Sequence, residues 1–211
     1  FFINFFLSTK MSRVSFVNGK YLSFKNAKIA INDRSVQFSD SVYEVIAVID
    51  SNLVFWEEHI KRLKKSLKLM NIKNFKNLEL LLFKCKEVIK LNNLDEGLIY
   101  IQISRGAALR NHNWQETIMP SLIISCLHKK VFEKRKPISL ISHLDIRWRY
   151  NYIKSTSLLG NVILKQKALK KNAFECLMYD DKGLITEATT SNIWIIKNKT
   201  IFTPPLKKNI L

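Results

Sequence analysis

Lys154 lies in Tyr152-Ile153-Lys154-Ser155-Thr156-Ser157, just ahead of an expected helix, and Glu187 follows in Ile185-Thr186-Glu187-Ala188-Thr189-Thr190-Ser191-Asn192. An amine can hold an aldehyde as a Schiff base and shuttle protons. A carboxylate can keep a ring nitrogen protonated, so that the ring accepts electrons. A second pair is His59 and Arg62, one helical turn apart and therefore on one face. Each residue also has a plainer reading. Most lysines are solvated. Glu187, after Lys182-Gly183, could be a turn acid, Arg62 could lie along the helix surface, and His59 could simply pack. Spacing alone does not choose between these readings.

The elements around these residues follow from periodicity. Residues 14–24 read as a hairpin around Asn18-Gly19. Residues 29–31 read as a short strand, and residues 42–50 as a β-branched strand turned at Ser51-Asn52. Residues 57–70 have helical spacing, with Ile60, Leu63, Leu67 and Met70 as the buried stripe and Glu57 and Glu58 at the positive end. Residues 78–91 form a second amphipathic helix. Residues 97–105 and 121–127 read as adjacent strands joined by a long polar loop, 106–120, of the kind that usually carries function. Residues 132–137 are charged, end in proline and suit a linker. Beyond them come strands at 138–143, 174–179, 193–196 and 200–202 and a helix at 158–171.

The fold class expected is α/β (α+β) with two domains. Residues 1–10 form an upstream extension, expected to be disordered, ahead of Met11. Residues 11–134 form an N-terminal α/β domain, and residues 135–211 a C-terminal domain expected to be truncated, because no closing element follows Thr203-Pro204-Pro205.

Composition narrows the function. With 47% hydrophobic and 11% aromatic residues, the chain is globular rather than disordered. The net charge of +18 invites a nucleic-acid reading. Its lysines, however, are scattered, and the clusters Lys61, Lys64, Lys65, Lys68 and Lys165, Lys167, Lys170, Lys171 have the spacing of solvated helix faces. Cys85, Cys126 and Cys176 are far apart and odd in number, which suggests neither a disulfide framework nor a metal site. A reducing, cytoplasmic setting is expected, with no membrane or nucleic-acid partner.

Six motifs in order carry a resemblance to a known family. They are Asn32-Asp33-Arg34, Phe38-Ser39-Asp40-Ser41-Val42-Tyr43-Glu44, Glu58-His59-Ile60-Lys61-Arg62-Leu63, Ser104-Arg105-Gly106, Ile153-Lys154-Ser155 with Leu158-Leu159-Gly160-Asn161, and Thr186-Glu187 with Ser191-Asn192. From about Ser15 to Leu211 the chain resembles the class IV aminotransferases, the fold-type IV pyridoxal phosphate enzymes. Arg105-Gly106-Ala107-Ala108-Leu109-Arg110-Asn111-His112 and Asp145-Ile146-Arg147-Trp148 make it look most like the D-amino-acid (D-alanine) aminotransferases within that family.

The resemblance implies a two-domain fold-type IV enzyme with pyridoxal 5'-phosphate in the cleft and an incomplete cofactor-binding second domain. Lys154 would hold the aldehyde and move the substrate proton. Glu187 would pair with the pyridine nitrogen and Arg62 with the phosphate. Tyr43 would sit near the cofactor and Leu211 against its ring, and Thr189, Thr190 and Ser191 would be candidates for hydrogen bonds near it. Tyr43, Arg110 and His112 would bind the substrate carboxylate, the loop of the latter two reaching the neighbouring subunit's site in a homodimer. The activity implied is transfer of an amino group from a D-amino acid, D-alanine first, to a 2-oxo acid such as 2-oxoglutarate. Branched-chain L-amino-acid transamination, aminodeoxychorismate lyase activity and an inactive cofactor-binding fragment are the alternatives. The sequence departs from the family at Ser35, Ser39 and Ser41, where glycine is usual, and ends before the second phosphate-binding loop.

Overall fold

The computed structural model describes residues 13–75, 78–131, 137–206 and 210–211. The expected extension, 1–10, and residues 132–136 of the expected linker lie outside them. The described chain divides into two compact units. The first runs through residue 131 and takes back Lys154–Thr156; the second holds residues 137–153 and Ser157–Leu211.

In the first unit, β1 (Val14–Val17) and β2 (Lys20–Ser23) form the hairpin, closed by Asn18 and Gly19 at positive φ. After α1 (Arg34–Phe38) come β3 (Ser41–Ile49) and β4 (Asn52–Leu53), then α2 (Trp56–Leu69) and α3 (Leu81–Leu91), then β5 (Gly97–Ser104) and β6 (Ser121–His128). The strands make one antiparallel sheet in the order β2-β1-β6-β5-β3-β4. Along β3 the buried positions alternate: Val42, Glu44, Ile46 and Val48. The helix α2 packs on β3, and α3 packs on β1 and β6. Ile60, Leu63 and Leu67 of α2 are buried, as the period predicts, whereas Met70, expected in the same stripe, caps the helix end and is half-buried. Each such side chain, fully buried, stabilises the fold by about 1.5–3 kcal/mol.

Two local expectations fail here. Residues 29–31 form no strand: Ala30 O accepts from Asp33 N at 2.9 Å, so the chain turns into α1, and Ile31 is exposed. Residues 34–38, not predicted as helix, form α1 because the Asp33 carboxylate caps the Ser35 N–H at 2.9 Å.

The second unit is built on β7 (Leu140–Leu144), α4 (Leu159–Lys170), β8 (Glu175–Tyr179) and β9 (Ile185–Ala188). β7 pairs with β8 in parallel and β9 with β8 antiparallel. As the crossover, α4 buries Leu164 and Ala168 against Ala173, Cys176 and Met178. A separate hairpin, β10 (Ile195–Lys197) and β11 (Thr200–Phe202), turns at Asn198 and Lys199. No helix among the described residues is long and apolar enough to cross a membrane.

Candidate active site

Lys154 is held by its backbone. The segment Lys154–Thr156 lies along the outer edge of β3, beside its first residues. Tyr43 N donates to Lys154 O at 3.0 Å, Thr156 N donates to Ser41 O at 3.1 Å, and Lys154 N donates to Ser66 Oγ on α2 at 3.3 Å. β4 covers the other end of the same edge. Thr156 Oγ1 bonds to Ser41 Oγ at 2.7 Å and donates to Ser39 O at 3.1 Å. Ser155 Oγ, by contrast, is buried with no hydrogen-bond partner among the described residues. The Lys154 ammonium stands 4.5 Å from the centroid of the Tyr43 ring, and Tyr43 stacks on Tyr100 at 5.8 Å. Burial, with Tyr43 adding to it, pushes the Tyr100 hydroxyl up to about 12, and it donates to Gln102 at 2.6 Å.

A buried carboxylate sits one residue from Tyr43. Glu44 falls on the apolar side of β3, where an unpaired charge would be costly. Two α2 residues answer it: Arg62 donates from Nε and Nη2 at 2.7 Å each, and His59 Nδ1 lies at 2.8 Å. Burial pulls the Glu44 acid upward, but the hydrogen bonds of Arg62 and His59 and the charges of Arg62 and Lys154 outweigh it and hold the group below the ordinary carboxylate value. The same contact raises Arg62. Glu44 fixes the Nε–Nη2 edge of the partly exposed guanidinium, and Nη1 has no hydrogen bond among the described residues. The sequence offered a signal for Glu44, a charged residue at an inward position of an alternating strand, and that signal was not used.

Glu187 is buried on β9 rather than solvated in a turn. Arg147 Nη1 donates to Oε2 at 2.5 Å, while Asn192 Nδ2 and Leu211 N donate to Oε1 at 2.9 and 3.2 Å. These are its three hydrogen-bond donors among the described residues. Arg147 also binds Asp145 through Nε and Nη2, and Thr186 Oγ1 donates to Asp145 at 2.8 Å. Burial raises Asp145, and the Arg147 contacts with the Thr186 hydroxyl more than reverse this. Sequence reading quoted Asp145 and Arg147 without giving them a part in this carboxylate's support.

The turn after β9 is tied to Glu175, which sequence reading missed. The Glu175 carboxylate accepts from the hydroxyls of Thr189, Thr190 and Ser191 at 2.9, 2.5 and 2.8 Å and from Thr190 N. Burial raises its acid, and these four donors lower it further than burial lifts it. Both hydrogen-bond donors of Thr190 are therefore taken by Glu175 and hold the turn. Arg110 and His112 are exposed on the 106–120 loop, and both lie against Phe38: the Arg110 guanidinium 5.4 Å from the ring centroid, the His112 ring at 5.4 Å. Gly106 starts this loop at φ +110, where a Cβ would collide with Met119 O. Of the three serines at family glycine positions, only Ser39 has a positive φ, 54°.

Known proteins match most of this chain. The D-alanine aminotransferase of Bacillus licheniformis is 36% identical over 197 residues, which span 92% of this chain and 69% of that protein. Among solved structures, the Escherichia coli branched-chain amino acid aminotransferase superimposes with a TM-score of 0.84 at 22% identity, covering 95% of this chain and 70% of that one. A T.th. branched-chain amino acid aminotransferase complexed with N-(5'-phosphopyridoxyl)-L-glutamate does so with a TM-score of 0.83 at 19% identity, covering 94% and 69%. The amino-transferase class IV family model matches residues 41–211, a span that includes the lysine, its β3 edge and the buried glutamate. This chain belongs to the class IV aminotransferases.

Proposed function

We propose that this aminotransferase uses pyridoxal 5'-phosphate to move an amino group from a D-amino acid, D-alanine first, to a 2-oxo acid such as 2-oxoglutarate. The observation that carries the cofactor reading is that one chain holds both a backbone-fixed lysine and a buried carboxylate braced by Arg147 and Asn192. The cofactor supplies an aldehyde that condenses with amines and a pyridine ring that takes up electrons. Lys154 Nζ would hold that aldehyde and, when free of it, would carry the substrate Cα proton. Glu187 would serve the ring nitrogen, and its bond to Arg147 keeps its carboxylate turned to one position. Arg62 would serve the phosphate while Glu44 holds its Nε–Nη2 edge. Tyr43 and Leu211 would lie near the cofactor.

Substrate preference rests on Arg110 and His112, two cationic or donor side chains suited to a carboxylate. In a homodimer, this loop serves the partner's site. The likeness to D-alanine aminotransferases favours the D-amino-acid reading. Branched-chain L-amino-acid transamination is the second reading, favoured by the solved structures of similar fold. The visible absorption of the protein with pyridoxal phosphate separates them. A lysine-bound cofactor band that bleaches with D-alanine and not with L-leucine is expected. Bleaching with L-leucine alone moves the assignment to the branched-chain reading, and no band at all overturns the cofactor role of Lys154.

A further inference from the structure

Arg34 and Phe38, both on α1, carry the 106–120 loop in a way that the transamination chemistry does not require. Asp40 is buried and shared by two buried guanidiniums: Oδ2 accepts from Arg34 Nε at 2.8 Å and from Arg105 Nε at 2.7 Å, and Oδ1 accepts from Arg105 Nη2 at 3.0 Å. With its Nε side fixed, Arg34 turns its fork onto the loop backbone. Nη1 donates to Asn111 O at 2.6 Å and Asn113 O at 3.5 Å, and Nη2 to His112 O at 3.4 Å. Arg105 places its fork on Met70 O and Asn71 O, and its Cζ lies 4.1 Å over the Trp114 ring. Three successive carbonyls facing one buried cation set the direction of the side chains between them.

Phe38 completes the arrangement. One ring meets three groups: the Arg34 guanidinium at 4.7 Å, Arg110 at 5.4 Å and the His112 ring at 5.4 Å. Two exposed side chains that would otherwise sample many rotamers share one aromatic platform.

We infer that Arg34 and Phe38 are positioning residues that pre-set Arg110 and His112 for binding the substrate carboxylate. Pre-orientation lowers the entropy lost on binding, so it acts on substrate affinity more than on the chemical step. The inference rests on the proposed carboxylate role of Arg110 and His112, and the experiment separates the two.

Amide hydrogen exchange is compared in the parent protein and in R34K, whose ammonium cannot reach Asp40 and three carbonyls together. Exchange in this loop, read at the Asn113 amide that donates to Asn111 Oδ1, speeds up by about tenfold or more once the carbonyl contacts no longer hold the turn, while β5 and β6 keep their protection. With cofactor bound, F38L raises KM for D-alanine about tenfold and changes kcat less than about threefold, and F38Y, which keeps the ring, restores KM. Unchanged exchange at Asn113 in R34K overturns the Arg34 part. A parental KM in F38L, when R110A raises it, overturns the Phe38 part. If R110A itself leaves KM unchanged, the carboxylate reading fails, and the positioning role falls with it. Should R34K not fold, R34Q is read in the same exchange experiment for the Arg34 part, while F38L and F38Y decide the Phe38 part.

Discussion

Two neighbouring hydroxyls beside Lys154 have opposite energetic standing. Ser155 Oγ is buried without a partner among the described residues, and Thr156 Oγ1 ties the lysine segment to Ser41 and Ser39. A buried hydroxyl with no partner costs free energy, whereas a made bond contributes about 0.5–1.5 kcal/mol. Ser155→Ala is therefore expected to leave stability unchanged or raise it by up to about 1 kcal/mol, and Thr156→Val to lower it by about 1–2 kcal/mol, as read from urea unfolding. The reverse order would disprove this account of the edge. Ser39 is a second residue-scale case. At φ 54° and ψ 27° it occupies the left-handed region. Ser39→Gly should raise stability by about 0.5–1 kcal/mol, whereas the same change at Ser35 or Ser41, which lack a positive φ, should not.

At the scale of elements, α2 is the bracket for the Arg62–Glu44–His59 group. Leu63, adjacent to Arg62, is fully buried. Leu63→Ala is expected to destabilise by about 2–5 kcal/mol and to weaken the proposed phosphate contact of Arg62, seen as a lower affinity for added pyridoxal phosphate. Normal stability in that variant would mean that α2 is not seated by this stripe. The helices and long strands were legible because their periods extend over many residues: Ile60, Leu63 and Leu67 mark α2, and the β-branched alternation marks β3. The helix α1 was not, since five residues are too few for a period. β9 was missed for a different reason. A strand reading Ile185-Thr186-Glu187-Ala188 puts a carboxylate in the interior, which makes sense only once Arg147 is known to face it.

For the whole molecule, acid should be the principal stress. Glu44, Asp145 and Glu175 all have folded acidities pulled below their ordinary values. A depressed folded pKa stabilises above the unfolded value and is lost as pH falls through the folded one. Stability should therefore decline from about pH 4 downward, first near the ordinary carboxylate range. Protonation also adds to a net charge already at +18, so self-repulsion grows in the same direction. Glu175→Gln is expected to be less stable than the parent at pH 7, with the gap narrowing below about pH 4. Thermal unfolding across pH checks this, and a gap that stays constant would show that the charge of Glu175 is not what holds the Thr189–Ser191 turn.

Sequence alone was enough for the order of the main elements and for the motifs that carry the family resemblance, and it offered Lys154 and Glu187 as a candidate pair. Those properties are local: hydrophobic period, turn residues and short motifs survive in one dimension. It could not show that Lys154–Thr156 leaves its sequence neighbours to edge β3, that Glu44 is the partner of Arg62, that Asp145 and Arg147 brace Glu187, or that Arg34 reaches the carbonyls of residues 111–113. Each is a contact between residues far apart in the chain or on different elements. A buried charge carries no local signature of the partner that satisfies it, and only the tertiary fold supplies that partner.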